Sequence, residues 1–186
     1  VSELRPAVFL DRDGTLNVER DLVRAPADLE LIPTAGSALR RLASAGFLLI
    51  VVTNQSARAR GTLSASELED VHEHLKELLE AEGVELTDIL HCPHHPTEGE
   101  PPLRVECDCR KPAPGMLLRA AAAHQIDLSR SWLIGDAARD IEAGARAGVQ
   151  TALVLTGKGE SEQTLCSPDL ISADIAAAAK ELLACR

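Results

Sequence analysis

The sequence predicts a parallel α/β sheet covered by helices on both faces, and three observations carry that reading. Short apolar runs free of charge, at 7–10, 47–52 and 132–135, read as strands buried on both sides. Helical patterns separate them, and alternating strands and helices make a parallel sheet. Polar groups also stand directly after the runs: Asp11 and Asp13, Thr53, and Asp136. Ligands of such sheets bind outside the carboxyl ends of the strands, so residues distant in sequence fall on one rim.

The elements follow in order. The first strand ends in Asp11-Arg12-Asp13-Gly14, and two-residue spacing points Asp11 and Asp13 one way and Arg12 another. Residues 17–31 are polar and aperiodic, broken by Pro26 and followed by Pro33, and read as a flap. A helix over 34–45 is anchored by Leu39 and Leu42 and stopped by Gly46. The strand 47–52 runs into Thr53-Asn54-Gln55-Ser56. Ser64-Ala65-Ser66-Glu67 is a capping box opening an amphipathic helix with Leu68, Val71, Leu75, Leu78 and Leu79 on one stripe, closed by Gly83. Ile89 and Leu90 start a short strand that runs into Cys92, and a loop rich in Pro, His and Cys continues to Pro114. A helix over 116–125, a fourth strand ending at Asp136, a helix over 137–147 stopped by Gly148, a fifth strand over 151–155 and a helix over 174–184 complete the chain.

At 186 residues, a single domain spanning 1–186 is expected. Lys and Arg number 19 against 29 Asp and Glu, a net charge of −10, which disfavours nucleic acid as a partner. With no Tyr, one Trp and two Phe there are also few platforms for base stacking. Basic residues nevertheless gather near the rim motifs (Arg12, Arg20, Arg24, Arg58, Arg60, Arg110, Lys111 and Arg139), which suits a small anionic substrate. The start carries Glu3 and Arg5 and only a short apolar run, so no signal peptide is expected, and no run approaches the roughly 20 residues of a membrane span. A cytoplasmic monomer with no membrane partner is the expectation. Five cysteines, an odd number, point to metal ligation or free thiols rather than a disulfide framework.

Two sites stand out chemically. Asp11 and Asp136 offer hard oxygen ligands suited to Mg²⁺, which also accepts phosphate oxygens. Thr53 can hydrogen-bond a phosphoryl group, and Lys111 adds positive charge where negative charge builds up. A carboxylate attacking phosphorus, with a second one moving the proton, is covalent catalysis with acid–base help. The second site is the loop at about 91–111. Cys92, His94, Cys107 and Cys109 supply three thiolates and an imidazole, a set that suits tetrahedral Zn²⁺ in a closed structural site. His91 or His95 could substitute for His94, while Cys166 and Cys185 have no comparable partners. The loop leads directly into Arg110-Lys111, so a metal there would orient two cations.

Asp11-Arg12-Asp13-Gly14-Thr15, Thr53-Asn54, Lys111-Pro112 and Gly135-Asp136 with Asp140 resemble the four motifs of the haloacid dehalogenase superfamily. The resemblance implies a Rossmann-like fold and phosphatase activity. By that resemblance Asp11 forms an aspartyl-phosphate, and Asp13 protonates the leaving alcohol and then activates water. Thr53 and Lys111 grip the phosphoryl group, Asp136 binds Mg²⁺ with Asp11 and the backbone carbonyl of Asp13, and Asp140 steadies the acidic motif. Arg12, Asn54, Ser56, Arg60 and Arg110 are expected to contact phosphate or substrate. The intervals between motifs leave no room for a cap domain, so 17–31 and the Cys/His loop shape access instead.

Within the superfamily, Cys-Pro-His followed by Cys-Asp-Cys-Arg-Lys-Pro resembles phosphatases that carry a zinc loop. That likeness implies a small phosphosugar substrate, a bisphosphate in preference to histidinol phosphate, because a second phosphate suits arginines. Arg110 and Arg60 are the expected contacts, with Arg20 or Arg24 on the flap serving where a Lys often stands and this chain has Ala137. Ala57 in place of Gly and Asp21-Leu22 in place of Gly-Tyr are two further departures. A phosphate-binding module that has lost catalysis is the reading from another class, and the complete set Asp11, Asp13, Lys111 and Asp136 argues against it.

Overall fold

The computed structural model describes residues 4–185; Glu3, one of the two charges read against a signal peptide, lies outside them. Its elements are β1 (Ala7–Leu10), α1 (Ala35–Ser44), β2 (Leu48–Asn54), α2 (Ala65–Ala81), β3 (Asp88–Cys92), α3 (Gly115–His124), β4 (Trp132–Gly135), α4 (Ala138–Ala147), β5 (Gln150–Val154), α5 (Gly159–Glu162), β6 (Leu170–Ser172) and α6 (Ile175–Ala184). The strands form one parallel sheet in the order β3-β2-β1-β4-β5-β6. From the central β1 the chain winds outward in one direction, then returns to β4 and winds in the other. The switch point between β1 and β4 opens a crevice at their carboxyl ends.

Alternation along the strands builds two cores. Val8 and Leu10 point toward α1, α2 and α6, with Leu39, Leu42, Val71, Leu75 and Leu182. Ala7 and Phe9 point the other way, with Met116, Leu117 and Ala120 of α3 and Ala143 of α4. Burial on both faces is why these runs are uninterrupted by charge. The capping box at Ser64 forms as read: Glu67 N donates to Ser64 Oγ at 3.1 Å, and Ser64 N donates to Glu67 Oε2 at 2.7 Å. Among the described residues no helix is long and apolar enough to cross a membrane.

Three features differ from the sequence reading. The four-residue helix α5 is too short for any periodicity to mark it. A sixth strand, β6, was not expected; it has three residues and leaves Ile171 half exposed at the sheet edge, so no buried run marks it. The flap is also less free than its polarity suggests. Val18 N donates to Glu30 O and Ile32 N to Leu16 O, both at 2.9 Å. Leu16, Val23 and Leu29 are buried in the core. Leu22 packs on Ala57, Leu63 and Leu68.

Candidate active site and metal centre

Past the end of β1, Asp11 is buried at the switch point, and its Oδ1 accepts from the Arg12 backbone N–H at 2.8 Å. Lys111 reaches the same oxygen from the zinc-loop side, with Nζ 2.8 Å from Asp11 Oδ1, 2.7 Å from Asp140 Oδ1 and 2.6 Å from Val52 O. Burial opposes the charge on Lys111, but the Asp11 and Asp140 carboxylates outweigh it and raise its pKa. Asn54 fixes the Lys111 backbone from both sides: its Nδ2 donates to Lys111 O and its Oδ1 accepts from Lys111 N, each at 3.0 Å. Asp140 also receives the Ala137 N–H at 3.1 Å, so it caps α4 while facing the lysine.

Asp136 completes the acidic set. Carboxylate oxygens of Asp11, Asp136 and Asp140 lie within 4.8 Å of one another. Burial and the charge of Asp11 push Asp136 up to about 7. Its Oδ2 accepts the Lys158 backbone N–H at 2.8 Å, whereas its Oδ1 is buried without a partner. Gly14 (φ +81°) and Gly157 (φ +57°) pack against this carboxylate from two loops, and a Cβ on either would collide with it. An orphaned buried oxygen among repelling carboxylates is what a hard divalent cation relieves, so the residues fit Mg²⁺.

Asp13 turns away from that cluster. Arg12 donates to it three times (Nε to Oδ1 at 3.1 Å, Nη2 to Oδ1 and Oδ2 at 2.9 Å), Asn17 Nδ2 once at 3.1 Å, and Gln55 Nε2 once at 3.0 Å. Burial would raise its pKa, but the Arg12 charge and the bonds from Asn17, Arg12 and Gln55 hold the carboxyl below the usual range. The expectation that the Arg12 side chain points away from Asp13 is therefore corrected. The two-residue alternation stops with β1 at Leu10, and the turn that follows folds the fully buried guanidinium onto Asp13.

Above this floor lies a cleft of about 390 Å³, lined by Asp13, Glu19, Asp21, Leu22, Asn54, Ser56, Arg60, Arg110, Arg139 and Lys158. Asn54, Ser56, Arg60 and Arg110 of the expected contacts face it, while Thr53 is buried at the rim and accepts from Gln55 Nε2 at 2.9 Å. Arg20 and Arg24 do not line it. Arg20 is paired with Glu30 along the flap. Arg58 is likewise absent from the cleft, its Nη1 donating to Leu63 O at 2.8 Å. The sequence reading assigns no role to Gln55, Asn17, Gly157 or Lys158. Gln55 shares the β2 rim with Thr53, and Lys158 follows the end of β5, so the carboxyl-end rule applied to every strand would have found both.

In the Cys/His loop, Cys109 Sγ lies 3.2 Å from Cys92 Sγ and 3.3 Å from Cys107 Sγ. Cys92 and Cys107 are 3.5 Å apart, and His94 Nδ1 is 3.4 Å from Cys109 and 3.7 Å from Cys92. These separations are far too long for a disulfide, about 2.0 Å. They approach the edges of a tetrahedron whose vertices lie about 2.3 Å from a central ion, so the four residues fit zinc. Burial and the neighbouring Cys109 thiol raise Cys92, a cost that a bound cation reverses. The loop also fixes the cleft wall: Arg110 Nη1 donates to His94 O at 3.0 Å, and Arg60 pairs with Glu98 at the loop tip.

The strand order and the carboxylate–lysine set define a hydrolase of the haloacid dehalogenase type, and the HAD-hydrolase-like family model matches residues 108–178. D-glycero-beta-D-manno-heptose-1,7-bisphosphate 7-phosphatase of Pseudomonas putida is 42% identical over 180 residues, 95% of this chain and 98% of that one. The protein of the same name from Escherichia coli K12 is 44% identical over 154 residues, 82% and 81% of the two chains. The crystal structure of D,D-heptose 1,7-bisphosphate phosphatase from B. bronchiseptica, complexed with magnesium and phosphate, superposes with a TM-score of 0.87 at 33% identity, covering 97% of this chain and 99% of that one. This chain belongs to the D-glycero-beta-D-manno-heptose-1,7-bisphosphate 7-phosphatase family of HAD-like hydrolases.

Proposed function

We propose that this chain is a magnesium-dependent, single-domain phosphatase that removes the C7 phosphate of D-glycero-D-manno-heptose 1,7-bisphosphate through an aspartyl-phosphate intermediate. The observation that carries the reading is buried Asp11, bound by Lys111 and within 4.8 Å of Asp136, beneath a cleft lined by arginines. The names of the relatives supply the sugar. We further propose that it works in the cytoplasm as a monomer.

Asp11 attacks phosphorus, a bond forms between its carboxylate oxygen and phosphorus, and the bond from phosphorus to the C7 oxygen breaks. Asp13 gives its proton to that oxygen, then takes one from the water that attacks the acyl phosphate, restoring Asp11 and releasing phosphate. With Arg12, Asn17 and Gln55 bound to it, Asp13 starts ionised, and the entering phosphate dianion is what raises it enough to carry a proton. Lys111, held by Asn54, stays charged beside Asp11, and Thr53 offers its hydroxyl to the phosphoryl oxygens. Asp11, Asp136 and the backbone carbonyl of Asp13 would hold Mg²⁺, which when bound offsets phosphoryl charge that would otherwise repel the carboxylate. Cys92, His94, Cys107 and Cys109 would hold Zn²⁺, steadying the wall that carries Arg110.

The test is a side-by-side measurement of kcat/KM, with and without Mg²⁺, on both anomers of the heptose bisphosphate and on histidinol phosphate. Mg²⁺-dependent turnover with at least tenfold preference for a heptose anomer is expected. A comparable preference for histidinol phosphate, whose ammonium the cleft arginines repel, would refute the assignment.

A further inference from the structure

We infer that Arg139 is a specificity-determining residue that binds the substrate's second phosphate, the one that is not transferred. The inference rests on the bisphosphate reading above. Arg139 lies in the first turn of α4, just after Asp136, and its side chain lines the cleft. Among the described residues it makes no hydrogen bond and no ion pair, and its Nε is buried without a partner. The other cleft cations are at least partly engaged. Arg60 is paired with Glu98, Lys158 Nζ lies 3.7 Å from Glu19, and Arg110 gives Nη1 to the His94 carbonyl.

An unpartnered guanidinium at a half-buried position is costly unless something anionic completes it. Burial opposes its charge and the fields of Asp140, Asp11, Asp136 and Glu162 outweigh that, yet none of these carboxylates hydrogen-bonds to it. Arg60, Arg110 and Arg139 all line the cleft; of the carboxylates that line it with them, Asp13 is already bound by Arg12 and Glu19 faces Lys158, which leaves Asp21. A dianion placed between Arg139 and Arg110, which line the same cleft, supplies acceptors for planar donor forks. The transferred phosphoryl group has its own cation, because Asp11 is bound by Lys111 and not by Arg139. The cleft, about 390 Å³, is within the range of small-molecule sites, so one phosphate at Asp11 and another at Arg139 can belong to one molecule.

The experiment compares kcat/KM for heptose 1,7-bisphosphate with that for heptose 7-phosphate, which lacks the second phosphate, in the wild type, Arg139→Gln and Arg139→Lys. The wild type should prefer the bisphosphate. Arg139→Gln should reduce that preference about ten- to a hundredfold, mainly through KM, as expected for charge-assisted hydrogen bonds. Arg139→Lys should restore part of it, returning the charge without the fork. A preference unchanged within twofold in Arg139→Gln overturns the assignment. So does an equal loss on both substrates, which would place Arg139 at the transferred phosphoryl group or in the scaffold. A wild type that turns over heptose 7-phosphate but not the bisphosphate would instead overturn the substrate reading, and this inference with it.

Discussion

Lys111 and Asp140 form a fully buried ion pair, with Nζ 2.7 Å from Oδ1. The pair joins the zinc-loop side of the cleft to the first turn of α4, and Asp11 lies on its open side at 2.8 Å from the same ammonium. One cation thus serves two carboxylates, one structural and one chemical. Removing the cation leaves both buried and repelling.

Lys111→Met should therefore cost about 3–5 kcal/mol of stability and lower kcat by roughly 10²–10³-fold. The double variant Lys111→Met/Asp140→Asn removes one of the stranded charges, so it should regain stability without regaining activity. Denaturant titrations and steady-state kinetics on both proteins separate the two effects. Recovery of activity in the double variant would show that Lys111 acts only as a scaffold.

Asp11→Asn should keep the fold and lose turnover by roughly 10⁴-fold or more. The carboxamide fills the same space but neither attacks phosphorus nor balances the charge of a bound cation. Beryllofluoride with Mg²⁺ should give a tightly bound fluorine signal by ¹⁹F NMR in the wild type and none in the variant. Turnover within tenfold of normal in Asp11→Asn would rule out the aspartyl-phosphate route.

Protein purified without added metal should carry close to one zinc per chain. Cys107→Ser breaks a site in which the four ligand atoms lie within 4.8 Å of one another. A loss of about 3 kcal/mol there lowers Tm by roughly 6–12 °C at this chain length. Activity should fall too, because Arg110 is tied to the carbonyl of His94. Absence of zinc from reduced, unchelated protein would count decisively against the site.

The parts of this molecule legible in the sequence are those where one physical demand dominates. Strands β1, β2 and β4 are buried on both faces and so read as apolar runs, and the carboxylates after β1 and β4, with Thr53 near the end of β2, mark the rim. Cys92, His94, Cys107 and Cys109 were legible because ligand chemistry admits few residue types. Arg12 was misread because strand alternation does not extend past Leu10, and only the turn decides where its side chain goes. Arg20 and Arg24 do not line the cleft, and flap residues pair locally, Arg20 with Glu30, in ways no periodicity reports. β6 escaped because a three-residue edge strand needs little apolar surface.

His72, on α2, provides a test of interior electrostatics. It is 8% exposed, its ring centroid lies 5.4 Å from that of His91, and its Nε2 has no partner. Burial, then the charge of Arg12, lower its pKa to about 3. In the unfolded chain a histidine takes up its proton near pH 6.5, so between that pH and about 3 the unfolded state binds more protons than the folded one. Stability from this residue is therefore whole above pH 6.5 and declines as the pH falls, by about 2 kcal/mol at pH 5. The buried Nη1 of Arg12 also lacks a partner, so a protonated His72 would add positive charge near the guanidinium that holds Asp13. His72→Leu removes the titrating group while keeping an apolar side chain against α2's buried stripe. Its stability should fall less than that of the wild type between pH 7.5 and pH 5, narrowing the gap by about 2 kcal/mol in urea titrations. Parallel pH profiles for the two proteins would mean that His72 already titrates near its ordinary value in the folded chain.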